Sequence, residues 1–269
     1  MCAGLDSYLK SNNILCTNQF GFRKNSNTLD AIIEFLDYVY SSLDKKPSTI
    51  AVFLDFSKAF DTVNHEILMS KLQHNGIRGV ILSWFKSYLS NRKQYVSIKN
   101  FSSFMSNITL GVPQRSVLGT VLFLLDINDM DRSSDQLRFV HFADDTTVFT
   151  SDYDINGVHA SVNSKLVGVD NWLKTNRLSL NVSKTSYMII SNLKNALDIK
   201  IRETILTKVS TLNSLALRSI PIWLCFHGED REVLMLLRLS VLTGEHVNYS
   251  QIITKRSSHL TQFMITLLY

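Results

Sequence analysis

Two adjacent aspartates, Asp144 and Asp145, sit at the break between two extended runs. Leu137-Arg138-Phe139-Val140 precedes them and Val148-Phe149-Thr150 follows. β-Branched and aromatic residues in such runs form strands, so the acids are expected at the tip of a hairpin. Two carboxylates on one tight turn repel, and they persist where water surrounds them or a cation neutralises them. A third acid, Asp55, ends the apolar run Thr49-Ile50-Ala51-Val52-Phe53-Leu54. That run has the pattern of a central strand buried on both faces. If the hairpin pairs beside this strand, three carboxylates converge at one edge of a sheet. Such a cluster suits hard divalent cations, chiefly Mg²⁺. Two such ions about 4 Å apart activate a hydroxyl and stabilise a leaving pyrophosphate. Spacing alone leaves both readings open, solvated surface acids and a metal site.

The surrounding elements are those that would position the acids. Thr28 is read as the N-cap of a helix bearing Leu29, Ile32, Ile33, Leu36, Val39 and Leu43 at helical spacing. It closes at Asp44-Lys45-Lys46-Pro47, just before the buried strand. Asn64 caps a helix carrying Ile67, Leu68 and Leu72, and a second helix follows with Ile81, Trp84, Phe85, Tyr88 and Leu89 on one stripe. Gln94–Ile98 alternates as a strand, with Asn107–Leu110 as its expected partner. Residues 116–129 read as a buried helix, and Val158, Val162, Leu166, Val169, Trp172 and Leu173 mark another. Tyr187–Ile190 is a strand and Leu197–Ile201 a candidate one. Beyond Ser214 no organisation is legible, although Val233–Leu242 has a helical pattern. Helices and strands mix without a regular βαβ series, so the class is α+β.

Composition sets bounds on function. The chain has 269 residues, 45% hydrophobic and 19% charged, with formal net charge +5 and pI about 9.0. This leans towards polyanionic partners such as nucleic acid. Cys2, Cys16 and Cys225 follow no metal or disulfide spacing, which points to a reducing compartment. The apolar stretch Val117–Leu125 is too short to span a bilayer, and the N-terminus has no signal-peptide pattern. The expectation is an intracellular protein, of cytoplasm, nucleus or both, with no membrane partner.

Four segments occur in a telling order: Leu54-Asp55-Phe56-Ser57-Lys58-Ala59-Phe60-Asp61; Gly111-Val112-Pro113-Gln114-Arg115-Ser116-Val117-Leu118-Gly119; Phe142-Ala143-Asp144-Asp145; and Leu178-Ser179-Leu180-Asn181-Val182-Ser183-Lys184-Thr185. Asn18-Gln19-Phe20-Gly21-Phe22-Arg23 stands upstream. Together they resemble the reverse transcriptase domain of non-LTR (LINE-type, jockey-like) retrotransposons, over roughly residues 5–212. The resemblance implies a right-hand polymerase: a palm with an antiparallel sheet and packed helices, partial fingers, and no recognisable thumb. It implies an RNA-directed DNA polymerase that moves deoxynucleotides from dNTPs onto the 3′-hydroxyl of a DNA primer along an RNA template. Two Mg²⁺ ions, with Mn²⁺ as a substitute, would be held by Asp55, Asp144 and Asp145. Those acids and Lys184, a proton donor to pyrophosphate, would be the catalytic set. Phe56, Phe60, Gln114 and Arg115 would contact the nucleotide, with the Phe60 ring excluding a 2′-hydroxyl. Arg23 and Lys24 would meet phosphates of template or primer.

The sequence also departs from the family. Arg115 and Thr120 stand where the family has Gly and Pro, and Asp126 replaces an aromatic on an apolar helix. A glycine at 115 would let backbone approach the nascent base pair. An unpaired buried acid at 126 would cost several kcal/mol. The family's first finger block is expected before residue 1, and the primer-grip turn is not found at Ser210–Ser214, so the domain reads as truncated at both ends. Residues 1–212 are read as fingers and palm, and 213–269 as a divergent segment. Two further readings follow: an inactive retroelement remnant with residual nucleic-acid binding, and an RNA polymerase or nucleotidyl cyclase on the same palm. The Phe60 ring disfavours the latter.

Overall fold

The computed structural model describes residues 2–45, 48–190, 197–209, 222–227, 232–239 and 249–255. The expectation for 210–214 lies outside them. Strand β1 (Ser48–Leu54) is buried at every position. β7 (Asp145–Asp152) and β8 (Ser186–Ile190) flank it, both antiparallel. β6 (Arg138–Phe142) lies outside β7, and the short β11 (Thr207–Lys208) runs parallel outside β8. The order is therefore β11-β8-β1-β7-β6.

Alternation along β1 divides the core between two faces. Ala51 and Phe53 join Phe149, Met188 and Ile190 beneath α2 (Thr28–Lys45), which contributes Ala31, Ile32, Phe35, Leu36 and Val39. Ile50, Val52 and Leu54 face the other layer. That layer comprises α1 (Cys2–Ser11), the single turn α3 (Ala59–Thr62), α4 (His65–His74), α5 (Gly79–Leu89), α6 (Val117–Ile127) and α7 (Ile155–Thr175). A sheet covered on both sides explains why β1 is apolar without alternation. The α+β class and antiparallel-dominated sheet agree with expectation.

Some local expectations are corrected. α2 is capped by Asn27, not Thr28: the Asn27 side-chain oxygen accepts from the N–H groups of Leu29 (2.8 Å) and Asp30 (3.1 Å). Asn64 and Ser116 do cap α4 and α6. On the α5 stripe, Phe85 and Leu89 are buried but Ile81 is exposed. The 93–107 region is two short ladders rather than one long pair. β2 (Lys93–Gln94) pairs β5 (Ser106–Asn107), and β3 (Ser97–Ile98) pairs β4 (Phe101–Ser102). These strands are exposed, so no apolar face fixes a longer register. The candidate strand 197–201 shrinks to β9 (Lys200–Ile201), paired with β10 (Thr204–Ile205). Residues 232–239 form a strand, not a helix: β13 (Glu232–Leu239) lies between β12 (Ile222–His227) and β14 (Tyr249–Lys255). A short apolar run is ambiguous between the two by periodicity. Among the described residues no helix is long and apolar enough to cross a membrane.

Candidate active site

Asp55 leaves β1 one residue past the Leu54–Thr146 pair, and Asp145 precedes Thr146 on β7. Register therefore delivers both acids to the same end of the sheet. The 178–185 segment fastens this exit. The Asp55 N–H donates to Thr185 Oγ1 at 3.3 Å, and the Asp55 carbonyl accepts from the Asn181 N–H at 2.8 Å. The Ser57 N–H donates to the Ser179 carbonyl at 2.8 Å, and Phe56 bridges Leu180.

β6 and β7 are joined by Ala143-Asp144, with Phe142 opposite Asp145. Ala143 has φ 59° and Asp144 is not in the left-handed region. A positive φ at the first turn residue alone is the type II′ pattern, whose twist matches that of paired strands. The Asp144 carboxyl is pushed above its ordinary range, first by burial and then by the negative charge of Asp55, against a backbone hydrogen bond that lowers it. The Asp144 carboxyl thus lies within reach of the charge of Asp55. The oxygens of all three acids do not gather within 4.8 Å of one another. Consecutive strand residues point to opposite faces, and bare carboxylates repel. The donor set of Asp55 and Asp144, hard oxygens at a partly buried edge, fits Mg²⁺.

The other expected site residues are placed unevenly. Phe60 is half-buried, its ring stacked on Phe123 at 4.3 Å and edge-on to the exposed Phe22 at 6.4 Å. Phe56 is only 6% exposed and its side chain belongs to the core. Gln114 is exposed and donates to Asp61 Oδ1 at 2.7 Å. Its loop is tied to the α3 turn by Gly111 N–H to the Val63 carbonyl and Val112 N–H to the Phe60 carbonyl, both 2.8 Å. Arg115 is exposed with φ 57°, a conformation that favours glycine. Lys184 is exposed on the turn before β8. Arg23 donates through one terminal nitrogen to the carbonyls of Cys16 (2.7 Å) and Gln19 (3.2 Å), so part of its fork holds a loop. Lys24 is exposed.

The hairpin has a brace that sequence reasoning did not identify. Residues 18–20 run beside β6: the His141 N–H donates to the Asn18 carbonyl, and the Phe20 N–H to the His141 carbonyl, both at 2.8 Å. The Gln19 side chain grips Ala143 through both its N–H and its carbonyl. A Cβ on Gly21 would lie 2.0 Å from the Ala143 nitrogen, so only glycine permits this approach. Gln19 and Gly21 lie in the upstream block, but nothing in that block says which segment it touches.

Beneath the hairpin, Asp131 accepts from His141 Nε2 at 2.5 Å, Cys16 Sγ at 3.0 Å and Asn18 Nδ2 at 2.7 Å. Burial pushes the Asp131 carboxyl up, but the hydrogen bond and charge of His141, with those of Cys16 and Asn18, hold it below its ordinary range. Burial, then Asp131, pushes the Cys16 thiol up to about 12. Residues 16, 131 and 141 share no short spacing, so the sequence carries no signal for this cluster.

Residues 3–227 match the reverse transcriptase (RNA-dependent DNA polymerase) family. The chain belongs to the reverse transcriptase family. Similar curated proteins are polymerases of mobile elements from Drosophila melanogaster. The RNA-directed DNA polymerase from mobile element jockey is 27% identical over 181 residues, 65% of this chain and 20% of that protein. The probable polymerases from transposon BS and transposon X-element are 29% and 32% identical, over 67% and 53% of this chain. They cover 21% and 16% of those proteins, so the reverse transcriptase chain spans about a fifth of the length of the relatives it matches. Among solved structures, telomerase from Candida tropicalis, in complex with a telomeric RNA fragment, superposes with TM-score 0.53 at 12% identity. It covers 74% of this chain and 34% of that one. The apo enzyme truncated from its C-terminal domain gives the same TM-score over 81% and 43%. These likenesses show the fold, and the motif order had pointed to the same jockey-like group.

Proposed function

We propose that this reverse transcriptase domain is an RNA-directed DNA polymerase, adding deoxynucleotides to a primer 3′-hydroxyl along an RNA template. The observation that carries the reading is the electrostatic coupling of Asp55 and Asp144 at the shared end of β1 and the β6–β7 hairpin. Asp55 and Asp144 would hold two Mg²⁺ ions, or Mn²⁺ in their place, with Asp145 as the third acid. Bound there, the ions would supply Lewis-acid stabilisation of the entering and leaving oxygens.

The chain's own residues orient the reactants. Phe60, fixed against Phe123, presents its ring to the sugar and disfavours a 2′-hydroxyl. Gln114 and the backbone at Arg115 border the nucleotide. Phe56 holds the floor of the site through the core. Lys184 delivers a proton to the departing pyrophosphate, and Lys24 with the unused donors of Arg23 meets nucleic-acid phosphates. The same substrates set its place of work inside the cell, in cytoplasm or nucleus.

The test is primer extension on an RNA template with Mg²⁺, supplied with dNTPs or rNTPs. Extension with dNTPs well above that with rNTPs is expected. Equal use of both, or no extension on RNA, contradicts the proposal. Two observations favour a second reading, an inactive remnant: the side chain at Arg115 where the backbone suits glycine, and the orphaned acid Asp126. If neither the parent nor Arg115→Gly extends a primer, while salt-dependent RNA binding survives, the remnant reading holds.

A further inference from the structure

We propose that Cys16, Asp131 and His141 form a second metal site, for a borderline-soft divalent cation of the zinc class, lodged behind the Asp144 hairpin. One donor atom from each residue lies within 4.8 Å of the other two. Sulfur, imidazole nitrogen and carboxylate oxygen are the ligand types zinc takes, and three protein ligands leave its fourth tetrahedral position to water. Thiolate and imidazole select against Mg²⁺, so this site is chemically distinct from the all-carboxylate pair.

The arrangement around the imidazole supports the assignment independently. His141 directs Nε2 towards Asp131 and is anchored through Nδ1 to Thr146 Oγ1 at 2.8 Å. A metal-binding histidine characteristically has its second nitrogen held in this way. The imidazole is nearly inaccessible, with 3% of its side chain exposed, while Asp131 at 24% leaves an entry path.

Proton balance is simple. As the metal–sulfur bond forms, the Cys16 thiol gives up its proton to solvent. His141 changes tautomer: the proton that Nε2 donates to Asp131 leaves through solvent and one is taken up at Nδ1, which then donates to Thr146 Oγ1, so that Nε2 presents its lone pair to the metal. Asp131 exchanges hydrogen bonds from Cys16 and His141 for a metal–oxygen bond. The ion would cross-link three segments: the 16–19 loop, the turn at 130–133, and β6. All three back the turn that carries Asp144, so the cation braces the polymerase hairpin without touching its chemistry.

Co²⁺ is the probe, on the chain carrying Cys2→Ser and Cys225→Ser, which leaves Cys16 as the only thiol. One equivalent should give tetrahedral visible absorption with a thiolate charge-transfer band. Zn²⁺ should displace it, and a hundredfold excess of Mg²⁺ should not. Adding Cys16→Ser should abolish the band and the rise in thermal midpoint caused by Zn²⁺. Thr146→Val should weaken binding about tenfold through the lost anchor. Asp144→Asn should leave the band intact, which separates this site from the carboxylate pair. The proposal is overturned if equimolar Co²⁺ gives no charge-transfer band, or if the Zn²⁺-dependent rise survives Cys16→Ser.

Discussion

Gln19 holds Ala143 by both backbone groups: its Oε1 accepts from the Ala143 N–H at 3.0 Å and its Nε2 donates to the Ala143 carbonyl at 3.3 Å. Gln19 is 4% exposed, and its Oε1 also accepts from the Gly21 N–H at 2.7 Å. One side chain thus joins an N-terminal loop to the residue before Asp144. Gln19→Ala would leave two N–H groups and a carbonyl without that partner. A loss of about 1–3 kcal/mol is expected in denaturant unfolding, together with slower nucleotide addition. An unchanged midpoint and rate would show that the brace is incidental.

Asp126 is fully buried on α6, both its carboxylate oxygens lack hydrogen-bond partners among the described residues, and its pKa is raised to about 7. Burial is the main cause; the charge of Lys71 lowers it and that of Asp129 raises it. Because the folded pKa lies above the unfolded value of 3.8, folding takes up a proton. The penalty is absent below about pH 4 and grows as pH rises to about 7. Its full size at higher pH is roughly 4 kcal/mol from that difference. Asp126→Asn should match the parent near pH 4 and exceed it by a few kcal/mol at pH 8, measured by denaturant unfolding. Parallel pH profiles for the two would contradict this.

Arg115 adopts φ 57° at an exposed position. A side chain there costs about 1–2 kcal/mol, and glycine's greater freedom in the unfolded chain offsets part of the gain from removing it. Arg115→Gly should raise stability by up to about 1 kcal/mol and increase kcat/KM for dNTPs. A fall in the thermal midpoint would mean that the arginine makes a compensating contact.

The palm was legible in the sequence because burial imposes period. Continuous apolar residues in β1 and helical spacing in α6 and α7 report directly on two covered sheet faces. The motif carrying Asp55 and the hairpin acids was legible for the same reason, as polar residues interrupting buried strands. Long-range side-chain bonds were not. Gln19 to Ala143 spans 124 positions and Cys16 to Asp131 spans 115, and no local periodicity encodes either. The exposed 93–107 ladders were misread because alternation without burial does not fix register. Nor does any local pattern show that the Phe56 ring packs in the core beneath the site.

Phe60 stacks on the buried Phe123 and reaches towards Phe22, which is 60% exposed. If its ring is what excludes a 2′-hydroxyl, Phe60→Ala should raise the relative use of rNTPs while lowering stability by about 3 kcal/mol or less. Unaltered sugar preference in a folded Phe60→Ala variant would reduce this ring to a packing role.

The central claim is that Asp55 and Asp144 act together on a cation during nucleotide transfer. It is tested most directly by single-turnover primer extension on an RNA template, comparing the parent with Asp55→Asn and Asp144→Asn across a Mg²⁺ titration. Metal stabilisation of a transition state is worth several kcal/mol, so each variant should lose on the order of 10²–10⁴-fold in rate. The double variant should be little worse than either alone. Extension that is independent of Mg²⁺, or that survives Asp144→Asn within a few-fold, would contradict the account.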